Sequence, residues 1–228
     1  MSARVGVIVF PGTNCELDVV YVVEHLGGCA DLVWHGDAQV DGFDALVIPG
    51  GFAHGDYLRT GALARFSPVM EAVREFAAGG GPVVGICNGF QVLTEAGLLP
   101  GALQKNAGLR FVCRTVTCRV ETERSALTRG VPAGTELRLP VNHFEGNYTC
   151  DAETLARLRA NDQVVLRYVD NPNGSIDDIA GVSNEAGNVV GLMPHPERAS
   201  EEILGSADGA LLLRALLSAA RLDLPVGR

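Results

Sequence analysis

The sequence predicts an α/β fold built on a parallel sheet that is covered by helices on both faces. Three observations carry that expectation. Short, unbroken apolar runs rich in β-branched residues alternate with segments of helical period. Each early run ends at a glycine or proline cluster. Runs apolar on every residue, rather than on alternate ones, mark strands buried on both sides.

The elements follow in order. Arg4 to Phe10 reads as a strand closed by Pro11-Gly12, after which Thr13 or Asn14 is placed to cap a helix running to about Leu26 and stopped by Gly27-Gly28. Asp31 to His35 and Ala45 to Ile48 read as the next two strands, the second ended by Pro49-Gly50-Gly51. From about Ala62 to Ala78 the apolar residues Phe66, Val69, Met70, Val73, Phe76 and Ala77 recur at helical spacing, and Gly79-Gly80-Gly81 ends the segment. Pro82 to Ile86 is a further buried strand, and Phe90 to Ala96 begins another helix. The second half is richer in strands. Phe111 to Glu121 alternates as antiparallel strands do, Val164 to Val169 and Val189 to Met193 add more, and a last helix spans about Gly209 to Arg221. With no internal repeat, low-complexity segment or linker, residues 1–228 read as one domain.

Composition narrows the function classes. A formal net charge of -9 and the absence of a Lys/Arg run argue against nucleic-acid binding, which rests on neutralising phosphates. No apolar run reaches the ~20 residues of a membrane span. Met1-Ser2-Ala3-Arg4 leads straight into a strand without a signal-peptide pattern, so the expectation is a cytoplasmic protein. The six cysteines, Cys15, Cys29, Cys87, Cys113, Cys118 and Cys150, are scattered without a Cys-x-x-Cys pair, so neither disulfides nor a zinc site is expected. Five of them read as small buried apolar residues.

Cys87 is the exception. Gly85-Ile86-Cys87-Asn88-Gly89 has the form Gly-x-nucleophile-x-Gly between a strand and a helix. So sharp a turn requires small residues two before and two after the nucleophile, and exposes it at the carboxyl end of a strand. The helix that follows points its positive end at the sulfur and favours the reactive thiolate. Gln91, four residues on, shares the face of Cys87.

A thiol nucleophile needs a base, and the base needs an orienting group. Met193-Pro194-His195-Pro196-Glu197 supplies both at the end of a strand-like run. The prolines hold the segment extended, and in an extended segment His195 and Glu197, two apart, point to the same side. His25, His35 and His54 lack such a setting. Attack on an amide also requires waiting backbone N–H donors. One from Gly50 or Gly51, in Pro49-Gly50-Gly51-Phe52, and one from Asn88 would form the oxyanion hole.

Together these pieces resemble the class I, triad-type glutamine amidotransferases. The resemblance is nearest to the glutaminase subunits of phosphoribosylformylglycinamidine synthase. It rests on the stretch from Pro49 to Gly61, on Gly85 to Gln91, on Glu145-Gly146-Asn147-Tyr148, on Asn171 to Ser175 and on Gly191 to Arg198. These lie in the family's order over nearly the whole chain. It implies a flavodoxin-like, doubly wound core with a smaller antiparallel region. It implies that Cys87 forms a thioester with glutamine, that His195 shuttles protons and that Glu197 orients His195. It also implies that Phe52, Gln91, Asn142, His143 and Phe144 contact glutamine. Phe144 stands where the family often has a glycine. His143 is an alternative base, and His195 is preferred because Glu197 supports it.

The chain carries no phosphate-binding loop and no convincing metal-ligand cluster, so no cofactor is expected in it. The resemblance therefore implies a large synthetase subunit that binds ATP and magnesium, with a small third subunit, joined by an ammonia channel. Asp56-Tyr57-Leu58-Arg59 is placed either at the subunit contact or at the glutamine pocket. The rival readings are another enzyme of the same elbow, a non-catalytic subunit that keeps the fold, and a glutaminase serving a different synthetase.

Overall fold

The computed structural model describes residues 2–221. In chain order the elements are β1 (Arg4–Val9), α1 (Glu16–His25), β2 (Cys29–Trp34), β3 (Ala45–Ile48), α2 (Val69–Ala78), β4 (Val83–Ile86), α3 (Asn88–Glu95), β5 (Ala102–Gln104), β6 (Val112–Val120) and β7 (Glu136–His143). They continue with β8 (Asn147–Thr149), α4 (Ala152–Ala160), β9 (Val164–Tyr168), β10 (Ile179–Ser183), β11 (Val189–Leu192) and α5 (Gly209–Ala219).

Nine strands form one sheet in the order β2-β1-β3-β4-β11-β10-β9-β6-β7, and β5 pairs with β8 in a separate antiparallel ribbon. The first five strands of that order run parallel; from β11 onward each pair is antiparallel. The antiparallel strands thus extend the parallel core. Strand β3 and the whole of β4 and β11 are fully buried, as their unbroken apolar runs require. Helices α1 and α5 touch each other on one face, and α2 and α3 share contacts with the short helix Ala64–Phe66 on the other. The chain leaves β1 for β2 on one side and returns to β3 on the other. That reversal makes a crevice at the carboxyl ends of the strands, where sheets of this type bind their ligands.

Several boundaries differ from the sequence reading. The helix expected from Ala62 breaks at Ser67-Pro68, because the residue before a proline is driven into the extended region, and Ser67 has φ -64 and ψ 143. Only Val69–Ala78 is α-helix, and Phe66, assigned to its buried face, is 72% exposed beneath the Arg65 guanidinium. Neither Thr13 nor Asn14 caps α1. Cys15 stands at the cap without a side-chain bond; Thr13 Oγ1 accepts from the Phe10 amide, and the amides of Asn14 and Cys15 donate to Gly50 O at 3.1 Å. Cys29 and Cys113 are exposed rather than buried; Cys15 and Cys118 are buried, and all six cysteines are free.

Candidate active site

The turn from β4 into α3 holds Cys87 at φ 50 and ψ -103, a conformation that costs a non-glycine residue of order 1–3 kcal/mol. Its surroundings fix that geometry. The Cys87 amide donates to Leu192 O of β11 at 2.8 Å. A Cβ at Gly85 would lie 2.6 Å from the Gly89 backbone, and a Cβ at Gly89 would strike the carbonyl of Ile48. Both flanking glycines are therefore required by close approach of backbone, as the elbow pattern implies.

His195 follows β11, and its amide donates to Pro140 O of β7 at 2.8 Å. Its Nδ1 lies 2.6 Å from Glu197 Oε1, and both side chains are fully buried. Among the described residues, His195 Nε2 has no hydrogen-bond partner. Burial opposes a charge on this ring, but the Glu197 carboxylate and the Cys87 sulfur outweigh it and hold the His195 pKa well above the ordinary range. Cys87 Sγ also lies 3.7 Å from Asn142 O.

A cavity of about 300 Å³ opens over these groups. Of the residues singled out from sequence, Cys87, His195, Gly51, Phe52, Gln91, Asn142, His143 and Phe144 line it. Gly50 lies one layer behind, where an added Cβ would meet His195 Cε1 at 2.7 Å, Cys15 Sγ at 3.1 Å and Cys87 Cβ at 3.5 Å. Its lack of a side chain lets nucleophile and imidazole close around it. Asn88 is a strut: its Oδ1 accepts from the Ala53 amide at 2.9 Å, and its Nδ2 donates to Gln91 Oε1 at 2.9 Å and to Asp56 Oδ1 at 3.2 Å. Gln91 Nε2 in turn donates to Glu145 O at 2.6 Å. The Gln91 amide is thus bonded at both ends within the chain.

The lining also includes Cys15, Thr60, Phe111, Glu145 and Arg198, to which the sequence reading assigned no role in the site, together with Asn14, expected only as a helix cap, and Asp56, from the segment placed either at the subunit contact or at the glutamine pocket. Asp56 faces the pocket, whereas Tyr57 and Leu58 are exposed and Arg59 pairs with Glu95 at 2.5 Å, so the ambiguous segment divides residue by residue. Cys15 Sγ, a His195 nitrogen and a Glu197 oxygen lie within 4.8 Å of one another, a set that could in principle hold a metal. The Arg198 guanidinium, which donates to Cys15 Sγ at 3.2 Å, sets a positive charge against that sulfur and disfavours a cation.

Residues 2–208 match the model of the CobB/CobQ-like glutamine amidotransferase domain. The chain belongs to that family. The amidotransferase is 58% identical over 218 residues to the phosphoribosylformylglycinamidine synthase subunit PurQ of Rubrobacter xylanophilus, covering 96% of this chain and 99% of that one. It is 51% identical over 226 residues to the subunit of the same name from Koribacter versatilis, at 95% and 98% coverage. The solved PurLQS of Thermotoga maritima contains a chain that superposes with a TM-score of 0.88 at 41% identity, over 96% of this chain and 99% of that one. A glutamine amidotransferase from the same organism shares the fold, with a TM-score of 0.58 at 16% identity over 97% of this chain and 91% of that one. Among the described residues, no helix is long and apolar enough to cross a membrane.

Proposed function

We propose that this amidotransferase is the glutaminase subunit of phosphoribosylformylglycinamidine synthase, with Cys87 as nucleophile, His195 as proton carrier and Glu197 as its orienting carboxylate. The observation that carries the roles is the convergence, at one cavity, of a thiol on a strained elbow and a buried imidazole that is backed by a carboxylate and whose Nε2 has no partner among the described residues. The relatives carry the choice of synthase.

His195 takes the thiol proton as Cys87 Sγ attacks the side-chain amide carbon of glutamine, and the developing oxyanion meets backbone N–H groups from Gly50-Gly51 and Asn88. The C–N bond then breaks; His195 gives its proton to the departing nitrogen, and ammonia leaves behind a thioester. His195 next takes a proton from water, which adds to the thioester; the S–C bond breaks, His195 returns that proton to the sulfur, and glutamate leaves with the thiol restored. Glu197 fixes the tautomer and offsets the imidazolium charge throughout. Phe52, Asn142, His143 and Phe144 form the remaining walls around the substrate.

The ammonia passes to a large synthetase subunit, PurL-like, with a small PurS-like third subunit. That partner binds ATP and magnesium and converts formylglycinamide ribonucleotide to formylglycinamidine ribonucleotide in purine synthesis; this chain supplies no cofactor. The complex works in the cytoplasm, and residues 1–228 act as one amidotransferase domain.

The test is glutamate release by the chain alone and with its synthetase, ATP and formylglycinamide ribonucleotide, with Cys87→Ala as control. Release that needs Cys87 and rises in the full mixture is expected, because partner docking completes such sites. No release in the full mixture, or release indifferent to Cys87→Ala, overturns the assignment.

A further inference from the structure

Beside the nucleophile, one wall of the cavity carries two carboxylates that the mechanism above does not use. Asp56 and Glu145 both line it and both are half-buried. Asp56 Oδ1 accepts from Asn88 Nδ2 at 3.2 Å, and Glu145 Oε2 accepts from Thr60 Oγ1 at 3.0 Å. Among the described residues, neither carboxylate pairs with a lysine, arginine or histidine. Burial, and then the neighbouring Glu145 charge, push the Asp56 carboxyl up to about 6, against the opposing Asn88 bond. Two like charges drawn together in a partly dry pocket cost free energy unless a cation joins them.

The position of the pair says which cation. The reacting end of the cavity is marked by Cys87 and by the unpartnered His195 Nε2. Asp56 is tied to Asn88, the residue next to the nucleophile, and the Glu145 backbone to Gln91, one turn further along α3. A glutamine whose amide sits at Cys87 carries its α-ammonium two methylenes and one carbon away, beside an α-carboxylate that an anionic wall repels. We propose that Asp56, with Glu145 beside it, receives the α-ammonium of glutamine and so selects an α-amino acid over amides that lack that group. This assignment rests on the glutaminase reading of the site.

The experiment uses the assembled complex and compares ammonia release from glutamine with that from 5-amino-5-oxopentanoate, the same molecule without its α-amino group. The wild type is expected to favour glutamine in kcat/KM by on the order of 10- to 100-fold, the range of a hydrogen-bonded charged contact. Asp56→Asn keeps an acceptor for Asn88 Nδ2 and is expected to collapse that preference through KM, with Glu145→Gln moving it in the same direction by less. If the analogue is not turned over, the same ratio is read from its inhibition constant against glutamine. Equal losses on both compounds, or an unchanged preference, overturn the assignment while leaving the glutaminase intact. Absence of Cys87-dependent ammonia release from the wild type removes the glutaminase reading itself.

Discussion

His143 donates from Nδ1 to Asn106 Oδ1 at 3.0 Å, so the second buried histidine of the cavity is held by a neutral amide. The Gly146 amide donates to the same oxygen at 3.1 Å, which fixes the amide's orientation and hence the His143 tautomer. Burial, and then the nearby His195 charge, lower the His143 pKa to about 4. Near neutral pH it is an uncharged ring, whereas His195 holds its proton against Glu197. The two histidines therefore part in their response to substitution. Glu197→Gln is expected to lower kcat for glutamate release about 100-fold or more, the range lost with general acid–base catalysis. His143→Gln is expected to cost less than about 10-fold in kcat on the same scale. Steady-state assays of both variants in the complete complex decide the order, and a larger kcat loss at His143 would make it the proton carrier.

Gly50 sets the spacing of the site. An alanine there meets the imidazole of His195 and the sulfur of Cys15 at once. Gly50→Ala is expected to lose activity and roughly 1–3 kcal/mol of stability to overpacking. Gly108 has open space for a Cβ and no positive φ, so Gly108→Ala is expected to be neutral or to add up to about 1 kcal/mol through the unfolded chain. Urea unfolding of the two variants checks the contrast.

Asp56 should leave its mark on stability as a function of pH. Its carboxyl is raised to about 6 in the folded chain from 3.8, so the folded state binds that proton more tightly than the unfolded one. The resulting contribution is fully present below pH 3.8 and is lost as pH rises through about 6. Asp56→Asn removes the titration. The Tm of the variant relative to wild type is therefore expected to rise between pH 4 and pH 7, by a few degrees at most. A difference that stays flat or falls across that window contradicts the shift. Over the same window, the glutamine KM of the wild type is expected to climb as pH drops below about 6, because Asp56, flanked by Asn88 and Glu145, loses the charge proposed to receive the α-ammonium.

The cysteines divide by position. Cys29 and Cys113 lie at the surface, whereas Cys87 is 6% exposed and opens only into the cavity. Iodoacetamide is expected to modify Cys29 and Cys113 without loss of glutaminase activity. A diazoketone analogue of glutamine is expected to modify Cys87 alone and abolish activity. Peptide mapping by mass spectrometry reads both outcomes, and inactivation that tracks Cys29 or Cys113 would contradict them.

Several strands are legible in the sequence because their burial is uniform, while β2 and β6, with mixed burial, are legible from short apolar or alternating runs. Strands β3, β4 and β11 are apolar and buried throughout, and β1 is so from Val5 to Ile8, because helices or loops cover both sides. Elements that escaped the reading have weaker patterns. In α4 only Leu158 is fully buried, so its apolar period is too thin to see, although Asp151 caps it by accepting from the Thr154 amide at 2.7 Å. Strand β7 contains Pro140, which argues against a strand until the sheet order shows β7 at the edge, where the missing amide costs nothing.

The sequence by itself determined the alternation of strand and helix, the elbow around Cys87 and the pairing of His195 with Glu197, because each depends on residues within a few positions of one another. Only the tertiary structure decided what stands around them. Cys15 reaches His195 because the amides of the first loop bind Gly50 O. Asn106 orients His143 from 37 residues away, and Asp56 comes beside Glu145 from 89 positions earlier in the chain. Contacts at such separations are set by which strands lie side by side, and local residue patterns carry no record of that choice.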